Sequence, residues 1–511
     1  MTQGRGVGLL EGMPVARMME LLKRDLQRLG LLHSTQSLLG WDEQVNLPAG
    51  SAAHRARQAS VLADLVHREA TRPEIGQWLA GLEGHVDQLS ADDQVIVREA
   101  RRDYDRATRV PPDLVARKVA LSSEAYHAWA AARKRRDFAD FAPYLERHLD
   151  LAREEAACFG KSGPAAYDHH IDKHDPGLDA AFIQGLFETL ARDLVPLAAA
   201  ILDSPVRARP GIFRNFPVDK QEAFLREVTT ALGFDYQHGR LDRSLHPFCS
   251  GNGADIRMTT RFDPDNPLDS LFSSIHETGH GMYEQGLPED RLGTALGQAV
   301  GMAVHESQSR LWENQISRSR AFWSYWEPRF RTLFAEELAD ISSEELYLAI
   351  NAVERQPIRV DADEVMYNLH IMLRFRLERA LFQKEISVRE VPMVWAELSL
   401  ELLGMVPEHD GEGCLQDVHW SGGAFGYFPS YCLGNMMAAQ LWDAVRVAEP
   451  GLEADFESGR FERLLSWLRR EVHQQGRRYN TRELVRRVTG RDLGPEALLG
   501  YLRERYGELY L

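Results

Sequence analysis

The 511 residues carry 60 Lys and Arg against 76 Asp and Glu, a net charge of −16, in a composition 44% hydrophobic and 27% charged. That balance is ordinary for a globular chain long enough to bury a large core, and it excludes intrinsic disorder and fibrous repeats. The negative excess repels phosphate backbones and anionic lipid surfaces, so neither nucleic acid nor membrane is expected as a partner.

From the start of the chain, residues 1–12 lack the apolar run of a secretory signal. Val15, Met18, Leu22, Leu26 and Leu29 then recur at steps of three and four behind Pro14, which predicts an amphipathic helix. Pro111 and Pro112 introduce a helix to about residue 138, and the same periodicity returns over 144–159, 180–202, 219–232 and 343–353. The longest apolar stretch, 194–202, is interrupted by Pro196 and is half a membrane span. A cytoplasmic protein is therefore expected, and Cys158, Cys249, Cys414 and Cys432, with no short pairwise spacing, read as free thiols. One strand signal interrupts the helices: within 241–262, Ile256, Met258, Thr260 and Phe262 alternate with Arg257, Thr259 and Arg261.

A second irregular stretch, 411–430, contains Ser421-Gly422-Gly423-Ala424-Phe425-Gly426. It lacks the Lys-Ser/Thr pair of a phosphate loop and follows no strand, so it is expected to be a shaped active-site loop. Between 460 and 491, Arg469, Arg470, Arg477, Arg478, Arg486 and Arg487 are interleaved with Glu462, Glu471 and Glu483, which reads as a solvated or interface helix face rather than a basic binding patch. With no fixed-period repeat and no linker composition, the expectation is one mainly helical domain over 1–511, all-α apart from one small β element.

The chemistry concentrates after Asn266, where a helix of about five turns is predicted from a capping Asn266, Pro267 in the first turn and Gly286 before Pro288 as a stop. Leu268, Leu271, Phe272, Ile275 and Met282 supply its buried stripe. His276 and His280 are four apart, which brings them within about 40° of each other and roughly 6 Å along the axis, close enough to share one tetrahedral ion. Glu277 is rotated by about 100° from His276, poorly placed to ligate beside it but well placed to take a proton from an attacking water. The motif is thus a zincin-type His-Glu-x-x-His helix with Glu277 as general base. Gly279 and Gly281 inside this helix each cost about 1 kcal/mol relative to Ala, which a close approach of another segment or of substrate would explain. The competing reading is that both histidines merely satisfy core hydrogen bonds.

A catalytic zinc needs a third protein ligand and one open position. Glu284 lies too near on the same helix to fold back, and Glu289 falls in a polar turn. Glu313, near Arg310, is expected as a surface ion pair. Glu306 is placed near the buried side of a second helix marked by Met302, Val304, Ser309 and Trp312 over 300–312, a costly position for a carboxylate unless it is paired or bound to metal.

Taken together these residues resemble the thermostable zinc carboxypeptidases of the carboxypeptidase Taq family. The resemblance runs from Trp41-Asp42 and Pro48 to Tyr510-Leu511 and includes six strings in order. These are His246-Pro247-Phe248, Asp255-Ile256-Arg257-Met258-Thr259, His276-Glu277-Thr278-Gly279-His280 and His305-Glu306-Ser307-Gln308, followed by Ile358-Arg359-Val360-Asp361-Ala362-Asp363 and Gly413-Cys414-Leu415-Gln416-Asp417-Val418-His419-Trp420. The resemblance implies Glu306 as third ligand, a helical two-lobed cleft and a homodimer. Thr278 stands where the family usually has Ala, and Leu498-Leu499 replace residues that are often aromatic; neither touches a ligand.

The expected activity is a zinc-dependent carboxypeptidase that removes single residues from peptides bearing a free C-terminal carboxylate. Arg359 and Arg257 are the candidates to bind that carboxylate, since a guanidinium fork matches it with two parallel hydrogen bonds. His246, His419 and Tyr427 are candidate donors to the developing oxyanion. Cobalt or manganese could replace zinc on such ligands. Two rival functions are an oligopeptidase cutting internally or releasing dipeptides, and a catalytically silent metal-binding scaffold.

Overall fold

The computed structural model describes residues 12–511. Nearly every predicted helix is present: Val15–Val45 behind Pro14, Pro112–Arg135, Ala142–Ala157, Ala180–Asp203, Val218–Leu232 and Ser343–Ile350. None of the described helices is long and apolar enough to cross a membrane. The described residues divide into two compact units, each assembled from three separated stretches: 12–109, 215–300 and 458–479 in the first, and 110–214, 301–457 and 480–511 in the second.

In the first unit, Met18, Met19 and Leu22 of the opening helix pack with Ile75, Trp78, Leu79 and Leu82 from Pro73–Glu83 and with Val95, Ile96 and Val97 from Ala91–Arg109. Beside this cluster lies a three-stranded sheet of order β1-β3-β2, with β1 Gly239–Arg243, β2 Phe248–Asn252 and β3 Asp255–Thr260. The central β3 runs parallel to β1 and antiparallel to β2, setting Arg240 opposite Arg257 and Cys249 opposite Met258. Only β3 matches the single strand predicted. β1 and β2 carry Gly, Ser and Asp in place of a β-branched alternation, so pairing with β3 rather than local preference makes them strands. Being central, β3 has both of its hydrogen-bonding edges paired. Thr259, expected on the open face, is fully buried and accepts from the Ser244 hydroxyl (2.7 Å) and the Phe248 N–H (3.0 Å).

The Pro267–Gly286 helix lies against β3 and β2. Asn266 caps it by accepting the Asp269 N–H, and its predicted stripe of Leu268, Leu271, Phe272, Ile275 and Met282 is buried. A Cβ on Gly281 would lie 2.7 Å from the Phe234 ring and 3.4 Å from Ile256, so the close approach inferred from this glycine is made by the sheet side of the same unit. Gly281→Ala is expected to destabilise the protein by about 1–3 kcal/mol through overpacking, read as a lower midpoint in denaturant with an unchanged far-UV spectrum.

In the second unit the Pro429–Ala448 helix is buried along most of its length, from Leu433 through Met436, Met437, Ala438 and Leu441, as expected of a helix apolar on all faces. It packs against Met302–Arg310, which continues as a π-helical turn, Leu311–Ile316. The widened turn leaves carbonyls without partners in the usual ladder. Arg505 of the C-terminal helix Glu496–Tyr510 donates to two of them, Asn314 (2.6 Å) and Gln315 (3.0 Å).

The arginine-rich 460–491 segment is answered by acids. Arg477 donates to Asp103 (2.7 Å) and Glu99 (2.9 Å) in the first unit, and Arg486 to Asp492 (2.6 Å) in the second. The four cysteines are free.

Candidate active site

His276 and His280 project from the same face of Pro267–Gly286, one turn apart, with their rings at 82° and their Nε2 atoms 3.1 Å apart. Two nitrogens each bonded at 2.0–2.1 Å to one tetrahedral ion are separated by roughly 3.3 Å, so this pair fits a shared divalent ion. Glu277 is buried on the adjoining face. Desolvation, together with the negative charges of Glu277 and Glu284, pushes the Cys249 thiol of β2 well up. Thr278 is fully buried and its hydroxyl donates to the Ser274 carbonyl (2.7 Å), which explains how a polar residue is accommodated there.

The other first-unit candidates are held by their own sheet. Arg257 forms a fork on Asp255 (2.8 and 3.0 Å) and stacks 4.2 Å from the centre of the Trp41 ring, whose environment also includes Arg240 at 4.8 Å. His246, between β1 and β2, is exposed, and its carbonyl accepts from the Ser244 hydroxyl (2.6 Å).

In the second unit, Glu306 is buried on Met302–Arg310. One carboxylate oxygen accepts from Arg310 Nε (2.7 Å) and the other from the Ser309 hydroxyl (3.2 Å). Glu313, expected at the surface, is buried instead: the π-helical turn rotates it inward, where Arg310 (3.2 Å) and Arg318 (3.6 Å) pair with it. Arg310 also lies 4.4 Å over the Tyr367 ring, and the Tyr367 hydroxyl accepts from Arg359 Nη1 (2.9 Å).

Arg359 is almost completely buried. Its Nε and Nη2 donate to one oxygen of Asp417 (3.0 and 2.8 Å), while Arg374 Nε donates to the other (2.7 Å). Burial would raise the Asp417 carboxyl, but the Arg374 and Arg359 guanidiniums hold it well below the usual carboxylate range. Gln416 accepts the Arg359 backbone N–H (2.7 Å) and so clamps the 413–420 string to the 358–363 string.

His419 and Tyr427 stand near this network, with ring centres 5.5 Å apart. Burial pushes the His419 imidazole down to about 4, with Arg359 and Arg374 opposing the upward pull of Asp417. Its Nε2 lies 3.4 Å from the Tyr431 hydroxyl, while its buried Nδ1 has no hydrogen-bond partner among the described residues. Burial, then the charge of Glu306, pushes the Tyr427 hydroxyl up to about 12. The second unit therefore brings Glu306, Arg359, His419 and Tyr427 into one linked cluster.

A model of the carboxypeptidase Taq (M32) metallopeptidase family matches residues 21–506. The chain belongs to the M32 carboxypeptidases. Thermostable carboxypeptidase 1 of Thermus thermophilus is 42% identical over 491 residues, covering 94% of this chain and 96% of that protein. Carboxypeptidase 1 of Bacillus subtilis is 34% identical over 488 residues, covering 95% and 97%. The crystal structure of an M32 carboxypeptidase from Deinococcus radiodurans R1 superposes with a TM-score of 0.93 at 41% identity, covering 97% of this chain and 99% of that one. The family resemblance read from the six strings is borne out, as is the helical fold, and the protein is a metallocarboxypeptidase, a hydrolase of peptide bonds. Neither the oligopeptidase nor the silent scaffold is favoured.

This M32 carboxypeptidase has polar groups beside its candidate site that sequence reasoning passed over. Arg310 pairs with Glu306 and Glu313 one helical turn to either side, a spacing visible in the sequence, and Tyr367 follows Arg359 by eight residues; Arg374, 43 residues from its partner Asp417, carried no such signal. Asp175 is another. It is buried, accepts the Ala303 N–H (2.8 Å) at the start of the Glu306 helix and the Ser430 hydroxyl (2.5 Å), and burial pushes its carboxyl up to about 6. A further set of metal-type donors in the second unit, Glu155, His169 and His170, has ligand atoms within 4.8 Å of one another. Lys118 and Lys173 both pair with Glu155, so its charge is already neutralised and the group reads as a buried ion-pair cluster.

Proposed function

We propose that this metallocarboxypeptidase is zinc-dependent, with His276, His280 and Glu306 holding the ion, and that it removes single residues from free peptide C-termini. The observation that carries the reading is the Nε2 pair of His276 and His280, 3.1 Å apart, with buried Glu277 on the same helix. A divalent ion on these ligands supplies a Lewis acid for the scissile carbonyl and acidifies water. Glu277 takes a proton from the attacking water as its oxygen bonds to the carbonyl carbon, and returns it to the leaving nitrogen as the C–N bond breaks. His419 stays neutral above about pH 4, so its imidazole can donate to the oxygen that gains charge; Tyr427, protonated up to about pH 12, is a second donor.

The substrate carboxylate is assigned to a guanidinium. Three of the five N–H groups of Arg359 are committed to Asp417 and Tyr367, which leaves two for a ligand. Arg257, with two committed to Asp255, is the alternative, and His246 is proposed to line the same substrate site. A homodimer and residence in the cytoplasm complete the reading; light scattering tests the first.

Two consequences are specific to these residues. A Cβ on Gly434 would lie 2.6 Å from both Cβ and Cγ of Glu306, and 3.2 Å from its backbone. Gly434→Ala is therefore expected to displace the Glu306 carboxylate and weaken zinc binding by about 10–100-fold, measured by competition with a chromophoric chelator. The depressed His419 pKa fixes the sign of a pH effect: its neutral form persists as pH falls through 6.5 to about 4. His419→Asn is expected to lower kcat/KM at every pH from 5 to 8 without moving the acid limb of the profile.

Mass spectrometry of an N-terminally blocked peptide tests the function itself. A ladder of single-residue losses from the C-terminus is the expected product pattern; internal fragments or dipeptides would refute exopeptidase action.

A further inference from the structure

Glu378, on the Tyr367–Gln383 helix, is fully buried and belongs to none of the six strings. Three hydrogen bonds converge on its carboxylate. One oxygen accepts the Trp420 indole N–H (2.8 Å); the other accepts the Gly426 backbone N–H (2.9 Å) and the Tyr167 hydroxyl (2.8 Å). Trp420 directly follows His419, and Gly426 directly precedes Tyr427. The two ends of the glycine-rich loop, each one residue from a proposed oxyanion donor, are thus fastened to a single side chain.

The rest of the loop has little freedom to compensate. Ala424 N–H donates to the His419 carbonyl (3.0 Å) and Gly423 N–H to that of Trp420 (3.1 Å), while His148 Nε2 lies 3.0 Å from the Ser421 carbonyl. Gly426 has φ +71°, and a Cβ there would lie 2.6 Å from the backbone of His170 and Ile171. Only glycine brings that N–H to the carboxylate. All three partners of Glu378 can donate, which a carboxylate satisfies; an amide in its place would turn an NH2 group toward at least one donor.

We propose that Glu378 is a positioning residue that sets His419 and Tyr427 together for catalysis, acting through Trp420 and Gly426. The inference rests on the reading of His419 and Tyr427 as oxyanion donors. Because misplacement of a donor by about 1 Å costs on the order of 10²-fold in rate, Glu378→Gln is expected to lower kcat by about 10–100-fold with a smaller change in KM and with zinc content unchanged.

A double-mutant cycle on the full chain separates positioning from mere stabilisation. In a His419→Ala/Tyr427→Phe background, Glu378→Gln is expected to cost less than about 3-fold further in kcat/KM, because the groups it positions are already gone. A full additional 10–100-fold loss in that background would overturn the inference while leaving the oxyanion reading intact. If His419→Ala and Tyr427→Phe each leave kcat/KM at the wild-type value, the oxyanion reading fails and the inference falls with it. Should Glu378→Gln not fold, Trp420→Phe removes only the indole donor and runs the same cycle against His419→Ala. A loss that vanishes in the His419→Ala background supports positioning, and a loss that persists there refutes it.

Discussion

Replacing Glu277 by Gln is expected to lower kcat by about 10²–10⁴-fold, the range for removal of a general acid–base group, while zinc content and unfolding midpoint stay at wild-type values. The amide keeps the size of the buried carboxylate and its place between the two histidine turns, but it cannot accept a proton from water and return it to the leaving nitrogen. Because Glu277 is one residue from His276, the zinc measurement is essential: activity lost together with the metal would mean that the substitution had disturbed the ligands rather than the base.

The second large effect is expected at Asp417. Its two oxygens are divided between Arg359 and Arg374, both buried. Asp417→Ala leaves two positive charges facing each other in a low-dielectric interior, and removal of one partner from such a cluster costs about 3–5 kcal/mol. Chemical denaturation followed by tryptophan fluorescence measures it. The pH dependence of this contribution has a fixed sign. The carboxyl is depressed in the fold, so the stabilisation is present above the ordinary aspartate pKa and is lost as pH falls below it. Retention of wild-type stability in Asp417→Ala would show that water reaches the two arginines.

The parts of the site that were legible in the sequence are those with short-range causes. The His276–His280 spacing, the Asn266 cap, Pro267 and the apolar stripe all act within one helix, and the structure reproduces that helix as Pro267–Gly286. Gly281 announced a close approach, and Phe234 makes it. What escaped depends on partners distant in the chain. β1 and β2 become strands by pairing with β3, and Glu313 is turned inward by a π-helical turn whose carbonyls are satisfied by Arg505, about 190 residues away. Asp417 joins Arg359 across 58 residues, and Tyr167, Glu378 and Gly426 meet from three separate stretches. No periodicity signals such contacts, although the family resemblance singled out several of their members.

The arrangement also changes how the candidate arginines are understood. In the sequence Arg359 and Arg257 are both candidate forks for a carboxylate; in the structure each already has an acidic partner, Asp417 and Asp255. Pre-pairing fixes the guanidinium plane and removes the entropy cost of ordering a long side chain when substrate binds. It also lowers the net positive charge around each arginine, so under the proposed role recognition of a C-terminal carboxylate would depend on the direction of the uncommitted N–H groups.

X-ray absorption at the zinc edge of the metal-loaded protein tests most directly whether His276, His280 and Glu306 hold one ion, as proposed. The expected first shell contains two imidazole nitrogens and oxygen donors only, at 2.0–2.2 Å, with one oxygen lost or lengthened in Glu306→Gln. A shell containing sulfur, or one unchanged by Glu306→Gln, would contradict the assignment.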